Sequence, residues 1–285
     1  MGAIDFVLNL ACLLLWLRWR SLRFDAFVKS GPVTLVGTLK RAQARRLRGW
    51  QLATVLATIV VLRAVLYWLI GSPANWTPKL NLELIVLAFR GDFFRTALAY
   101  SCLSFLRILV VFYFWLIALV IINRTITETD PIQKLVRLHL GRPARWPWPL
   151  QLLLPFLIVL ALWMVLHPLL VSLSVIGRAR STAHLVEQGS LLGLGLLLSL
   201  KYVLPAFLLL HLVASYIYLG NNALLDFVTA TSTNITAPLR RLPLRFGKVD
   251  FTPVAGVILI LWLLQWLPNL VLGRLSASKL SAWPL

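Results

Sequence analysis

FRTALAYSCLSFLRILVVFYFWLIALVII, Phe94 to Ile122, is a run of 29 residues in which only Arg95 and Arg107 are charged. A membrane-spanning helix needs about 20 consecutive, mostly apolar residues. A soluble core helix shows one apolar stripe, whereas this run is apolar on every face. The whole chain shares this character. Hydrophobic residues make up 60% of it and charged residues 13%, against about half and about a quarter in a soluble domain. Five further runs fit a span: Ile4–Leu17, which is short, Trp50–Ile70, Pro149–Leu173, Leu191–Leu219 and Thr252–Leu272. The expected fold is all-α, a polytopic protein of about six transmembrane helices with interfacial amphipathic segments.

Lys and Arg number 28 against 9 Asp and Glu. In a soluble protein that excess would suggest nucleic acid; here it reads as basic loops against anionic lipid, with no nucleic-acid partner. The loops after the first, third and fifth runs carry 18 basic residues, and the opposite loops and C-terminal tail carry 7. The richer side is expected to be cytoplasmic, with both termini outside. Met1 to Asp5 lacks a positive signal-peptide n-region; Arg18, Arg20 and Arg23 follow the first run, as for an uncleaved span. Cys12 and Cys102 show no CxxC spacing and read as small core residues.

A span, a cytoplasmic loop and a returning span recur three times. In each loop a proline stands near the start of a short basic segment: Gly31-Pro32, Asp130-Pro131 and Ala237-Pro238. Proline suits the first turn of a helix, and Asp130, or Thr236 in the last unit, is placed to cap it. Ile132, Leu135 and Val136 share one face while Lys134 and Arg137 point elsewhere, as in a helix lying in the headgroup plane. Leu35 and Leu39 with Lys40, Arg41, Arg45 and Arg48 read the same way. Lys79–Phe89 (KLNLELIVLAF) is expected to be another interfacial helix, on the outer side. Trp146-Pro147-Trp148-Pro149 places tryptophans at the interface and proline at a helix start.

The third loop holds the densest such piece, NITAPLRRLPLRFGKVDFTPV, Asn234 to Val254. Gly247 permits a tight turn, and Asp250 or Thr252 can cap the sixth span before Pro253. Pro238-Leu239-Arg240-Arg241, Pro243, Gly247 and Asp250-Phe251-Thr252-Pro253 before an apolar run resemble the signature of the YggT family. Thr129-Asp130-Pro131-Ile132 resembles a second, diverged copy. Ala237 stands where that family has aspartate and Thr252 where it has serine, and the turn has one glycine instead of two. The resemblance covers roughly residues 95 to 275 and divides the chain into 1–92, a diverged unit at 93–175 and a clearer unit at 176–285. It implies a non-enzymatic protein of the bacterial inner membrane, connected with cell-envelope organisation, division or osmotic tolerance. Plastid members are linked to cytochrome b6f assembly and haem attachment.

No HExxH, G-x-S-x-G, Walker motif or intramembrane carboxylate pair is present. The glycines of Leu191-Leu192-Gly193-Leu194-Gly195 lack a preceding strand and read as close helix packing. Four histidines occur: His139, His167, His184 and His211. His167 and His211 lie in spans, at about 27 Å and about 12 Å from the inner ends of theirs at 1.5 Å per residue. A haem between them would need one depth, so interhelical hydrogen bonding is expected, and no cofactor or metal.

Arg63, Arg107 and Lys201 fall inside spans, where charge is costly and usually purposeful. Arg63 and Lys201 are expected to snorkel outward; Asp5, Glu83 and Asp92 are the available partners. One reading is a set of packing ion pairs; the other is a transporter or channel for an anionic solute or lipid. Arg240, Arg241, Arg245 and Lys248 are either topology signals alone or a surface for anionic headgroups and a protein partner. The favoured function is an organising or assembly factor that uses this surface, with Pro131, Pro238, Gly247, Asp250, Thr252 and Pro253 shaping the hairpins.

Overall fold

The computed structural model describes residues 2–25, 49–74, 77–124, 130–217, 222–241, 245–246 and 249–277. Gly31-Pro32, the basic segment from Leu35 to Arg48, and Gly247 and Lys248 lie outside the described residues. The fold is all-α, and among the described residues four helical stretches are long and apolar enough to cross a membrane: Gly49–Gly71, Phe94–Ile122, Trp148–Ser172 and Thr182–Tyr216. The chain divides into two compact units, Met1–Leu80 with Ala88–Leu109, and Asn81–Leu87 with Val110–Leu285.

In the first unit, helix α1 (Gly2–Asp25) pairs with helix α2 (Gly49–Ala74). Asp5 meets Arg63, and Trp19 lies where a Cβ on Gly49 would point. The two positions are 14 residues apart on each helix, so the helices run antiparallel in matched register. The start of helix α3 (Phe94–Ile122) packs through small residues. Ala64, Ala97 and Ser101 are each 0% exposed, and the Ser101 hydroxyl donates to the Val60 carbonyl at 2.8 Å. Small residues let backbones approach closely in an apolar medium, where dispersion and hydrogen bonds replace the hydrophobic effect. At the end of α2, a Cβ on Gly71 would sit 2.8 Å from the Gly91 carbonyl oxygen.

The expected interfacial helix over Lys79–Phe89 is not formed. Strands β1 (Lys79–Asn81) and β2 (Val86–Ala88) pair there instead. The reason is a period of two: Leu80, Leu87 and Phe89 are buried while Lys79, Asn81, Val86 and Ala88 are exposed. Asn81 Oδ1 accepts from the Glu83 N–H at 2.9 Å, and the Leu82 N–H donates to the Ile85 carbonyl at 2.7 Å. These bonds close a tight turn, the local use to which asparagine side chains are suited.

In the second unit, α4 (Pro131–Leu140) follows α3. Asp130 caps it as expected, accepting from Ile132 N–H at 2.8 Å and Gln133 N–H at 3.1 Å, with Pro131 in the first turn. Val136 and Leu140 pack on Leu116, Ile117 and Val120. A 3-10 turn at Arg142–Arg145 leads to α5 (Trp148–Ser172). The Gln151 amide donates to the carbonyls of Pro143 at 3.1 Å and Ala144 at 3.0 Å, tying the turn to the helix start.

Helix α6 (Thr182–Leu198) begins earlier than the hydropathy suggests, because the Ser181 hydroxyl caps it by accepting from His184 N–H at 3.2 Å. A Cβ on Gly193 would overlap the Phe156 ring, and one on Gly189 would overlap Leu160. The glycine-rich patch is therefore a helix-packing surface. At Ser199 the run changes to α7 (Leu200–Tyr216). Ser199 bonds three residues back, N–H to the Leu196 carbonyl at 3.1 Å, and its hydroxyl donates there at 2.7 Å.

Helix α7 packs along α8 (Ala223–Thr236) and α9 (Thr252–Ala277). Residues 223–236, read from sequence as loop, are helical despite their β-branched content; Thr231 and Ser232 are 0% exposed. Thr236 does not cap a following helix. Its hydroxyl donates back to the Ser232 carbonyl at 2.8 Å, and α8 runs straight on into the 3-10 turn Ala237–Arg241. Strands β3 (Arg245–Phe246) and β4 (Val249–Asp250) then pair antiparallel, Arg245 with Asp250 and Phe246 with Val249. Thr252 and Pro253 open α9, both buried.

Candidate functional site

Three apolar helices of the first unit each carry two polar residues four apart, Asp5 and Asn9, Arg63 and Tyr67, Tyr100 and Ser104. That spacing stacks both side chains on one helix face, and the three faces converge. The Arg63 guanidinium, 3% exposed, donates from Nη2 to Asp5 Oδ1 at 2.6 Å and Ser104 Oγ at 2.9 Å. Nη1 donates to Asn9 Oδ1 at 2.8 Å and Nε to the Tyr67 hydroxyl at 3.3 Å. Asp5 also accepts from the hydroxyls of Tyr67 and Tyr100, the latter at 3.0 Å. Asn9 Nδ2 donates to Ser104 Oγ at 3.0 Å. The rings of Tyr67 and Tyr100 lie 5.4 and 5.5 Å from the guanidinium carbon, within reach of cation–π attraction.

Arg63 therefore does not snorkel. It turns inward, because an acid and four neutral groups provide at depth what water would provide at the surface. Sequence reasoning named Asp5 as a partner but missed Asn9, Tyr67, Tyr100 and Ser104. The recurring four-residue spacing was the signal.

Lys201 is also paired. Its Nζ lies 2.6 Å from Glu83 Oε2, with Lys201 35% and Glu83 11% exposed, and 5.0 Å from the centroid of the Tyr202 ring. Arg107 is half-buried on α3. Asp92, the third candidate acid, has its backbone carbonyl engaged by the Trp68 indole N–H at 3.2 Å.

A second polar cluster, unmarked in the sequence reading, joins α3, α4 and α8. Asn123 Nδ2 donates to Thr231 Oγ1 at 2.8 Å and Asn123 Oδ1 accepts from Asn234 at 3.1 Å. Gln133 Nε2 donates to the Asn123 carbonyl at 3.4 Å. Asn123, Gln133 and Thr231 are each 0% exposed. The cluster fixes the docking of α4, whose outward side leaves Lys134, Leu135 and Leu138 exposed, followed by Arg142, Arg145, Trp146 and Trp148. Cations, leucines and tryptophans together are the composition of a membrane-interface segment.

Of the expected hairpin residues, Pro131 is in the first turn of α4 and Pro238 in the 3-10 turn that Arg240 and Arg241 complete. Arg245 and Asp250 are backbone partners across the β3–β4 pair. Lys248 lies outside the described residues. Among the histidines, His167 is buried with its ring 5.8 Å from Trp163, edge-on. His184 contacts Gln188, whose Oε1 accepts from the Trp163 indole at 3.2 Å. No group of three or more His, Cys, Asp or Glu able to hold a metal occurs among the described residues.

No family model matches the chain, and no curated protein or solved structure matches it.

Proposed function

We propose that this multi-pass membrane protein is a non-enzymatic organising or assembly factor, a diverged member of the YggT-like group. Its cytoplasmic hairpins hold anionic lipid and a protein partner. In this reading six helices span a bacterial inner membrane with both termini outside, α1 and α9 completing the set. The observation that carries the proposal is the arrangement of α4. A capped amphipathic helix is docked by a buried amide cluster and turns lysine, leucine, arginine and tryptophan outward. Basic residues recur in the last loop, at Arg240, Arg241, Arg245 and Lys248. Each basic residue near an anionic leaflet contributes about 1 kcal/mol.

The transport reading is weaker, because a site for an anion needs uncommitted donors. Arg63 already serves Asp5, Asn9, Ser104 and Tyr67, and Lys201 serves Glu83. The test is photocrosslinking from position 241 in native membranes, compared with the Arg240→Glu/Arg241→Glu chain. A discrete protein adduct that disappears on charge reversal, with insertion retained, supports an assembly factor. Lipid adducts alone, or recruitment unchanged by reversal, refute the partner surface.

A further inference from the structure

The connection between α2 and α3 would ordinarily be drawn as a loop on the outer surface. Its position in the second unit is different. A Cβ on Gly195 would sit 2.7 Å from the Leu82 carbonyl oxygen and 3.7 Å from the Glu83 side chain. The depth of Gly195 follows from the α5–α6 register. Gly189 faces Leu160 and Gly193 faces Phe156, so Gly195 is level with Leu154. Leu154 is 18 residues from Ser172, or about 27 Å at 1.5 Å per residue. The α3 end agrees: the Trp115 indole donates to Ser199 at 3.0 Å, and Trp115 is about 10 Å of helix from Ile122.

Two crossings, α3 and α5, separate this connection from the one at residues 173–181, so both open on the same face. The turn at Leu82–Leu84 thus lies far below the face from which it enters. Irregular backbone at such depth is tolerated only when protein satisfies its polar groups. Here the turn bonds internally, Leu82 N–H to Ile85, Leu84 N–H to Leu82 at 2.9 Å, and Glu83 N–H to Asn81. Lys201 supplies the second half of the argument. It is an ammonium within a 35-residue apolar run, and such a charge needs a counter-charge. The hairpin brings one.

We propose that residues 79–89 form a re-entrant hairpin, latched at depth by the Glu83–Lys201 ion pair. Glu83 closes the latch from a left-handed backbone at φ 70°, a conformation held only where surrounding contacts enforce it. Breaking the pair takes the counter-charge from each group and releases the tip toward water.

The unaltered protein in its membrane is first treated with the lipid-soluble reagent dicyclohexylcarbodiimide. The activated Glu83 carboxyl is attacked by the Lys201 amine, an amide forms, and the reagent leaves as its urea after taking up the elements of water. Mass spectrometry should find the Glu83–Lys201 cross-linked peptide; Glu83 recovered only as the acylurea overturns the pair. Accessibility is then read in a chain bearing Cys12→Ala and Cys102→Ala, with Leu84→Cys as reporter and Arg178→Cys as the outer-loop control. A membrane-impermeant maleimide should label position 84 about tenfold or more slowly than position 178, since the hairpin must open first. Adding Lys201→Met should raise that rate, and exchanging the charges as Glu83→Lys/Lys201→Glu should restore protection. Equal rates at 84 and 178 in the parent refute re-entry. Protection unchanged by Lys201→Met refutes the latch, and failure of the exchange to restore it assigns Lys201 a packing role alone.

Discussion

Replacing Arg63 with methionine tests the polar cluster most directly. The side chain keeps its length and loses its charge and every donor. Asp5 then retains two tyrosine hydroxyls but no counter-ion, and Asn9 Oδ1 loses its donor at 2.8 Å. Breaking a buried ion pair from one side costs about 3–5 kcal/mol. The three neutral bonds from Arg63, to Asn9, Ser104 and Tyr67, are worth about 0.6 kcal/mol each between membrane helices, or about 2 kcal/mol together. The stranded charge therefore dominates. Adding Asp5→Asn removes that charge, and the loss should shrink to about 2 kcal/mol, the neutral bonds alone. The double variant should be more stable than Arg63→Met. Arg63→Lys keeps the charge without the fork and should fall between. Reversible unfolding in bicelles or mild detergent reads the parent, Asp5→Asn, Arg63→Met, their double variant and Arg63→Lys. If the losses of Asp5→Asn and Arg63→Met add, the two residues are not coupled and the cluster is not the anchor described.

Gly193→Leu should prevent α5 and α6 from packing, because the new side chain takes the space of the Phe156 ring; Phe156→Ala should partly rescue it, as read by protease resistance of the 148–198 pair. Asp130→Ala removes the cap of α4 and should cost about 1 kcal/mol, seen as faster hydrogen exchange at Ile132 and Gln133. Gln133→Leu removes the side-chain amide that donates to the buried Asn123 backbone carbonyl and should undock α4, exposing Val136 and Leu140 to a cysteine scan; protection equal to the parent would refute the amide cluster as the docking element.

Four of the six expected spans, those at 50–70, 94–122, 149–173 and 191–219, match long apolar helices, and they were readable because a bilayer demands length and apolarity, properties of composition that survive any packing. The Asp130 cap was readable because capping is local in sequence. Asp5 and Glu83 could be named as partners because acids are so scarce in these runs, but the direction Arg63 takes could not. Snorkelling and inward pairing differ only in which neighbours exist, and Asn9, Tyr100 and Ser104 come from other helices. The hairpin at Lys79–Phe89 was hidden for a similar reason. Six of its eleven residues are Leu, Ile or Val, and that density blurs the alternation that separates strand from helix. Helix α8 was hidden by Thr and Ser, which prefer caps and turns in isolation and here bond to carbonyls inside the helix and on α7.

Gly71 and Gly91 touch through their backbones, so the chain departs from and returns to a single point. Whatever lies between them is a cassette. Its length and content do not set the spacing of the two helices it joins, and loop closure charges little for extra residues once the ends are fixed. Such an arrangement lets the α2–α3 pair hold its frame by its own contacts, so that loosening the Glu83–Lys201 latch frees the segment between the two glycines without parting the helices it joins.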